Sequence, residues 1–342
     1  MVVVDAIIYE LQKNGGISVY WNEILKRLIH DNNNDVLIYG KNNEVLFIQG
    51  VEIEINKGFS IFPVKIGRYL PFLCAPQFPH VFHSSYYRVS RSNFALNVTT
   101  VHDFTYEKFV RGPAKWVHCW QKYRAIKHSD IVICVSHNTA RDLMYYCPID
   151  PSKIRVIHNG VSENYHVLPN MQTKTNEVLF VGARAGYKNF ELAIDALVKR
   201  PELSLSIVGG GPLSEAEQQR LDARIPGRYT WLGRLSDEEL NLAYNRAYAL
   251  LYPSSYEGFG IPIIEAMRAG CPVVAVNVSS IPEVAGSAAI LTDVADADLF
   301  ASALLSIPQK RETLVEAGLE QAKKFSWDKC FEETLQVYKE LM

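Results

Sequence analysis

From one end to the other, short apolar runs alternate with segments of helical spacing. That alternation restricts the chain to α/β folds built on parallel sheets. Val2-Val3-Val4-Asp5-Ala6-Ile7-Ile8-Tyr9 reads as a first strand; the Gly15-Gly16 turn follows, then Val19, Trp21, Ile24, Leu25 and Leu28 at helical spacing. Apolar runs recur at 36–39, 81–83, 96–101, 131–136 and 154–161, and again at 177–182, 203–208, 249–253 and 271–276. Between the two series, 169–176 holds two Asn and two Thr with no apolar period, which predicts a linker. A length of 342 residues suits two domains of ordinary size. The expected division is an α/β domain at 1–168, a second at 177–325 and a closing helix at 326–342.

Composition removes several classes of function. With 48% hydrophobic and 21% charged residues the chain is globular rather than disordered or fibrous. A net charge of −2 gives no general attraction to nucleic acid, although residues 1–165 carry 18 Lys+Arg against 14 Asp+Glu, leaving 17 against 23 in the remainder. The six cysteines show no C-x-x-C pair and no metal spacing, so a reducing cytosol is the simpler setting. Residues 1–8 lack a basic leader, and no apolar stretch reaches about 18 residues. Asp296-Ala297-Asp298 precedes a helical pattern, which makes Asp296 an N-cap rather than a metal ligand.

Chemistry concentrates in Tyr256-Glu257-Gly258-Phe259-Gly260-Ile261-Pro262-Ile263-Ile264-Glu265-Ala266-Met267, directly after the strand-like Ala249-Leu250-Leu251-Tyr252-Pro253. Pro262 reads as the first helical position, making 258–261 a strand-to-helix turn. Backbone N–H groups at the positive end of a helix, approached through Gly258 and Gly260, suit a phosphate or diphosphate. Glu257 before the helix and Glu265 a turn inside it can both address sugars attached to that diphosphate. Read by themselves, the same residues are also compatible with an ordinary turn and a first-turn glutamate.

The whole string resembles the E-x7-E signature of retaining glycosyltransferases of family 4, and the resemblance continues over nearly the entire chain. It implies the GT-B architecture, two doubly wound Rossmann-like domains facing a central cleft, with the C-terminal helix crossing back to the first domain. In the first domain it places Gly15 and Gly16 at the donor diphosphate, His102 of Val101-His102-Asp103 on the transferred sugar, and Asp103 near the acceptor. In the second, Arg184 and Lys188 become the diphosphate cations; the spacing from Gly182 to Lys188 is the family's, while Arg184 comes one residue late. Gly209 of the Gly-Gly-Gly-Pro turn would line the nucleobase pocket, and Leu232-Gly233 would touch the base edge. The turn Gly258, Phe259, Gly260 and Ile261 would hold the diphosphate, Glu265 the ribose hydroxyls and Glu257 the transferred sugar. The triple glycine lacks the spacing of a dinucleotide fingerprint, which argues against a nicotinamide cofactor.

The function so implied is retaining, metal-independent hexosyl transfer. The donor is a nucleotide-diphospho-sugar, GDP-mannose first among them, used as substrate with no cofactor. The acceptor is a glycan or lipid-linked glycan of surface polysaccharide synthesis, handled in the cytoplasm or at the inner membrane face, with no nucleic acid partner. No residue stands out as a covalent nucleophile. A sugar-nucleotide epimerase or phosphorylase of the same architecture remains an alternative, as does a catalytically silent sugar-nucleotide-binding module. One segment stays open: 113–130 predicts a helix with Trp116, Trp120 and Tyr123 on one stripe among Lys115, His118, Lys122, Arg124, Lys127 and His128. The stripe either packs on the core or faces a membrane or lipid phosphate.

Overall fold

The computed structural model describes residues 1–12, 15–31, 35–40, 45–48, 51–54, 56–57, 64–73, 76–169, 175–184 and 186–342. Cys74 and most of the expected linker lie outside them. Two compact units emerge, one formed by Met1–Gly160 with Trp327–Met342, the other by Val161–Ser326.

In the first unit the order is β1 (Val2–Asp5), α1 (Ile7–Leu11), α2 (Gly16–His30), β2 (Val36–Gly40), β3 (Val45–Ile48), β4 (Val51–Glu54), β5 (Asn56–Lys57), α3 (Val64–Gly67), β6 (His80–Ser84) and β7 (Ala95–Val101). Then come α4 (Thr105–Phe109), α5 (Pro113–His128), β8 (Ile131–Cys134), α6 (His137–Tyr146) and β9 (Ile154–Val156). Seven strands make a parallel sheet in the order β5-β2-β1-β6-β7-β8-β9, and β3 and β4 form a separate antiparallel pair. The chain leaves β1 to one side and returns on the other, so a topological switch point lies between β1 and β6. The first strand stops at Asp5 instead of running to Tyr9, and Ile7–Leu11 is helical. Asp5 explains the break. Its buried carboxylate accepts from the Ser85 amide at 2.7 Å and from the Ser84 and Ser85 hydroxyls at 3.2 and 3.1 Å, which fixes the end of β1 to the end of β6.

The second unit runs β10 (Glu177–Val181), α7 (Phe190–Val198), β11 (Ser204–Val208), α8 (Glu215–Arg224), β12 (Tyr229–Gly233), α9 (Asp237–Arg246), β13 (Ala249–Tyr252), α10 (Ile261–Arg268), β14 (Val273–Val276), α11 (Ile281–Ala285), β15 (Ile290–Thr292) and α12 (Ala297–Ala322). Its six parallel strands lie in the order β12-β11-β10-β13-β14-β15, with the switch point between β10 and β13. Caps follow the sequence: Ser236 and Glu239 form a reciprocal capping box, and Asp296 accepts from the amides of Asp298 and Leu299.

Polarity at 169–176 does not mark the edge of the unit. Upstream of it, the amides of His166 and Leu168 donate to the buried side chains of Asn241 and Asn245 at 3.0 and 2.8 Å, and Tyr165 donates to Asp237 at 3.2 Å. Residues 161–168 therefore belong to the second unit.

The last helix, α13 (Trp327–Leu341), lies against α2 and adds Trp327, Cys330, Val337 and Tyr338 to the core of the first unit. Its firmest polar tie is buried: His83 meets the Tyr338 hydroxyl at 2.7 Å on one ring nitrogen and the Thr100 hydroxyl at 2.9 Å on the other.

Helix α5 turns its aromatic stripe outward. Its buried face carries His118, Cys119, Gln121, Lys122, Ala125 and Ile126, whereas Trp116 is 75% and Trp120 53% exposed. The core reading of these two tryptophans is thus overturned. Lys122 takes the interior instead, because Glu107 lies 2.8 Å from its ammonium, the Asp103 carbonyl accepts from it at 3.0 Å, and the Phe104 ring faces it at 4.3 Å.

Burial lowers the pKa of His83 to about 3, so the imidazole is neutral and uses one nitrogen as donor and one as acceptor. Tyr338→Phe leaves one of them unpaired in the core. The expected loss is about 1–3 kcal/mol, read as a lower urea midpoint for the first unit; an unchanged midpoint would remove this tie as an anchor of α13.

Candidate active site

In the second unit the switch point brings together the ends of β10 and β13. After β10, a short 3₁₀ turn (Gly186–Lys188) leads to Asn189, whose left-handed backbone starts α7. Asn189 donates from its side-chain amide to the Pro253 carbonyl at 2.8 Å and to the Ser255 hydroxyl at 2.6 Å, and the Ser255 amide donates to the Tyr187 carbonyl at 2.8 Å. Those bonds pin the 186–189 turn to the loop after β13. The consequence is an ion pair: Lys188 Nζ lies 2.5 Å from Glu257 Oε1, with 13% and 12% of the side chains exposed. The two residues that the sequence assigned to diphosphate and sugar thus neutralise one another.

The loop from Glu257 to Gly260 is held from below by residues that sequence reasoning passed over. Ser279 accepts from the Glu257 amide at 2.8 Å and donates to the Glu257 carbonyl at 2.7 Å, while Ser280 donates to the Glu257 and Phe259 carbonyls at 3.0 and 2.9 Å. Both serines follow β14, whose end adjoins the β13 loop. A polar pair after an apolar strand, at the carboxyl end of a parallel sheet, was the available signal. Gly260 caps α10 with φ of 104°, a conformation that a side chain would strain. The helix begins at Ile261, so Pro262 is its second residue rather than its first. Phe259 packs edge-on against Phe325 at 5.7 Å.

Glu265, one turn into α10, accepts from the Tyr244 hydroxyl at 3.1 Å. Burial chiefly, and then Asp237, raise its pKa from 4.5 to about 7 against the lowering effect of Tyr244 and Tyr165. It is a carboxylate kept close to neutrality by its surroundings.

Arg184 has a different environment from the one expected. Its Nε lies 2.6 Å from Glu217 Oε1, one Nη donates to the Gly209 carbonyl at 3.1 Å, and the other donates to the carbonyls of Gly211 and Pro212 at 3.1 and 2.8 Å. Each guanidinium nitrogen is engaged, and the Arg184 contact lowers the Glu217 pKa to about 2. The arginine therefore braces the 209–212 turn instead of offering donors to a diphosphate. Gly210 is needed beneath it, since a Cβ there would sit 2.6 Å from Arg184 Nη1. The Gly209 amide donates to the Gly233 carbonyl at 2.7 Å, and Trp231 Nε1 reaches the Gly209 carbonyl at 3.5 Å. Arg184, Gly209 and Gly233 are thereby joined, with half-buried Leu232 on the strand between Trp231 and Gly233.

The remaining predicted residues form a second group, in the first unit. Gly15 caps α2 and Gly16 opens it; among the described residues nothing stands within 4 Å of where a Gly16 Cβ would be. One turn further, Tyr20 packs edge-on against His102 at 5.1 Å. Burial lowers the His102 pKa to about 4, Asp103 opposing and Lys122 assisting, so the imidazole is neutral at physiological pH. Asp103 Oδ1 accepts from the Thr105 amide at 3.0 Å at the start of α4.

Comparison with known proteins covers both units. Residues 162–324 match the family described as glycosyl transferases group 1, and residues 14–165 match glycosyltransferase family 4. The chain belongs to these glycosyltransferases. An O-antigen chain mannosyltransferase B of Escherichia coli is 45% identical over 116 residues, which is 33% of this chain and 30% of the relative. An O-antigen chain mannosyltransferase RfbU of Salmonella typhimurium is 32% identical over 188 residues, 54% of this chain and 53% of the relative. The matched stretches thus span about a third to a half of these relatives' own lengths. The fold is GT-B: sucrose-phosphate synthase from Thermosynechococcus elongatus superposes with a TM-score of 0.79 at 18% identity, covering 99% of this chain and 98% of that one. WaaG, a glycosyltransferase involved in lipopolysaccharide biosynthesis, superposes with a TM-score of 0.72 at 16% identity, covering 99% of both chains.

The sign of the Glu265 shift makes a stability prediction. The folded state holds this proton more tightly than the unfolded chain does, so its contribution is fully present below about 4.5 and is lost as pH rises through about 7. Glu265→Gln should flatten that part of the stability profile and unfold at a higher urea concentration than the parent at pH 8. Parallel profiles for the two proteins would show that Glu265 ionises normally.

Proposed function

We propose that this glycosyltransferase moves a sugar, mannose first among the choices, from a nucleoside-diphospho-sugar to a hydroxyl of a glycan or lipid-linked acceptor. Retention at the anomeric carbon, GDP-mannose as donor and a place in surface polysaccharide assembly on the cytoplasmic side of a membrane are parts of the same reading. The observation that carries it is the Lys188–Glu257 pair beside the start of α10, at the switch point where open α/β sheets bind ligands. The names of the O-antigen mannosyltransferase relatives support mannose and the polysaccharide setting.

Breaking the bond between the anomeric carbon and the donor oxygen leaves negative charge on the diphosphate. Lys188 and the amides at Gly258, Phe259, Gly260 and Ile261 oppose that charge from fixed positions, which lowers the barrier without reorganisation at the moment of reaction. Glu257, released from Lys188 by the incoming phosphate, accepts from a hydroxyl of the transferred sugar. Glu265 accepts from the ribose hydroxyls, a role its ionised form performs best. Ser279 and Ser280 act through the loop they hold, and Arg184 through the turn beside the nucleobase. In the first unit, Gly15, Gly16, His102 and Asp103 are the residues that the family resemblance assigns to donor and acceptor, with His102 neutral. The leaving phosphate oxygen takes the acceptor proton, which accounts for retention without a protein nucleophile and assigns no step to a metal.

Thermal shift against GDP-, UDP-, ADP- and TDP-sugars selects the donor: a true ligand at about 100 times its Kd adds about 2.7 kcal/mol of stability. Turnover with that donor and a glycan acceptor should survive chelation by EDTA; epimerised donor in the absence of acceptor would instead indicate an epimerase. Lys188→Ala should lower kcat by about 10- to 100-fold, the worth of one charge-assisted hydrogen bond made mainly in the transition state. Glu265→Ala should act chiefly on the donor KM and Glu257→Ala chiefly on kcat. Near-parental kinetics for all three would overturn the assignment.

A further inference from the structure

Helix α5 and the segment 66–73, which begins in α3, share a surface that the catalytic reading leaves unused. Gln121 joins them, donating to the Arg68 carbonyl at 2.7 Å and accepting from the Arg68 guanidinium at 3.4 Å. On this surface Trp116, Val117 and Trp120 of α5 are 75%, 44% and 53% exposed, and Ile66, Leu70 and Leu73 are 52%, 37% and 75% exposed. Isolated exposed apolar residues are ordinary, but two tryptophans and four aliphatic side chains on two linked segments form a patch.

The stretches of sequence that carry the patch are basic, although Glu10 of α1, the helix packed against α3, is exposed as well. Residues 55–102 contain no Asp or Glu, nor do residues 108–129, although Lys57, Lys65, Arg68, Arg88, Arg91, Lys108, Arg111, Lys115, Lys122, Arg124 and Lys127 all fall within them. Some of these cations have partners: Lys122 pairs with Glu107, Lys108 with Asp142, and Arg88 lies 3.5 Å from Asp5. Arg124 has none among the described residues. Its Nε and one Nη are covered yet meet no acceptor, and the Arg68 Nε is in the same condition. What covers the Arg124 guanidinium includes the exposed indole of Trp120, 4.7 Å away, and Arg91 and Arg88 are near enough to destabilise its charge. A cation with unmet donors among other cations, under a tryptophan, lacks an anion.

We propose that this face docks on an anionic lipid bilayer, with Trp116 and Trp120 entering the headgroup layer and Arg124 receiving a lipid phosphate once the Trp120 ring leaves it. Tryptophan favours that layer because its ring is apolar and its N–H polar, and arginine binds phosphate through paired donors. A soluble protein partner would need acidic groups matched to each arginine; a bilayer supplies mobile phosphates that find them. Sugar transfer is not required for this docking, so its test is independent of the catalytic reading.

The test is flotation of the full chain, without donor or acceptor, on vesicles of phosphatidylcholine alone or with about a third phosphatidylglycerol. Binding is expected on the anionic vesicles, weakening at least about tenfold between about 0.05 M and about 0.5 M salt. Trp116→Ala/Trp120→Ala should weaken it about tenfold or more at unchanged melting temperature. If that double variant fails to fold, Arg91→Glu/Lys127→Glu, both at exposed positions, decides by the same fold-change. Absence of binding by the parent, equal binding by folded variants, or equal binding to neutral vesicles would overturn the proposal. So would a concentration-dependent dimer abolished by Trp116→Ala/Trp120→Ala, which would make a second copy the occupant.

Discussion

The ion pair between Lys188 and Glu257 is the interaction around which the second unit's site is arranged. Two enclosed charges cost desolvation that their attraction offsets only in good geometry, and removing either partner leaves the other uncompensated. That geometry comes from elsewhere: Asn189 and Ser255 hold the lysine's turn, and Ser279 and Ser280 hold the glutamate's loop. On the proposed function, a phosphate entering here would meet a cation already fixed in place, would exchange one anionic partner of Lys188 for another, and would free Glu257 to face a sugar.

The two units use their switch points in different ways. In the second, the ends of the central strands carry the ion pair and the glycine-rich turns. In the first, the corresponding ends are closed by Asp5 with Ser84, Ser85 and Arg88, a network that fixes strand ends rather than presenting them. His102 and Asp103 sit at the end of the next strand, β7. The burial that makes His102 a neutral contact also places Lys122 beneath Asp103, where the Glu107 carboxylate compensates it. Helix α5 devotes its inner face to that buried charge, and its tryptophans are left on the outside.

Much of this was legible in the sequence because it depends on local pattern. The parallel sheets follow from alternating apolar runs, the caps at Ser236 and Asp296 from their spacing, and the turn at Gly258–Gly260 from glycine before a helix. Other features depend on what meets in space. Nothing near Arg184 in the chain announces Glu217 and the 209–212 carbonyls, so its bracing contacts were not foreseen. Ser279 and Ser280 lie beyond the apolar run 271–276, and nothing in their own pattern announces the carbonyls of Glu257 and Phe259. The first strand read as running on to Tyr9, and Asp5 proved to be its terminus. The α5 stripe stayed open because Trp and Lys usually divide as core and surface, a rule that reverses when a buried carboxylate is there to receive the lysine.

The most direct measurement is a crystal structure with a nucleoside diphosphate bound. The account predicts phosphate oxygens within hydrogen-bond distance of the Gly258–Ile261 amides and of Lys188, with the ammonium withdrawn from Glu257 and Arg184 still on Glu217. A diphosphate bound elsewhere, or bound here with the Lys188–Glu257 pair intact and Arg184 swung onto the phosphates, would contradict it.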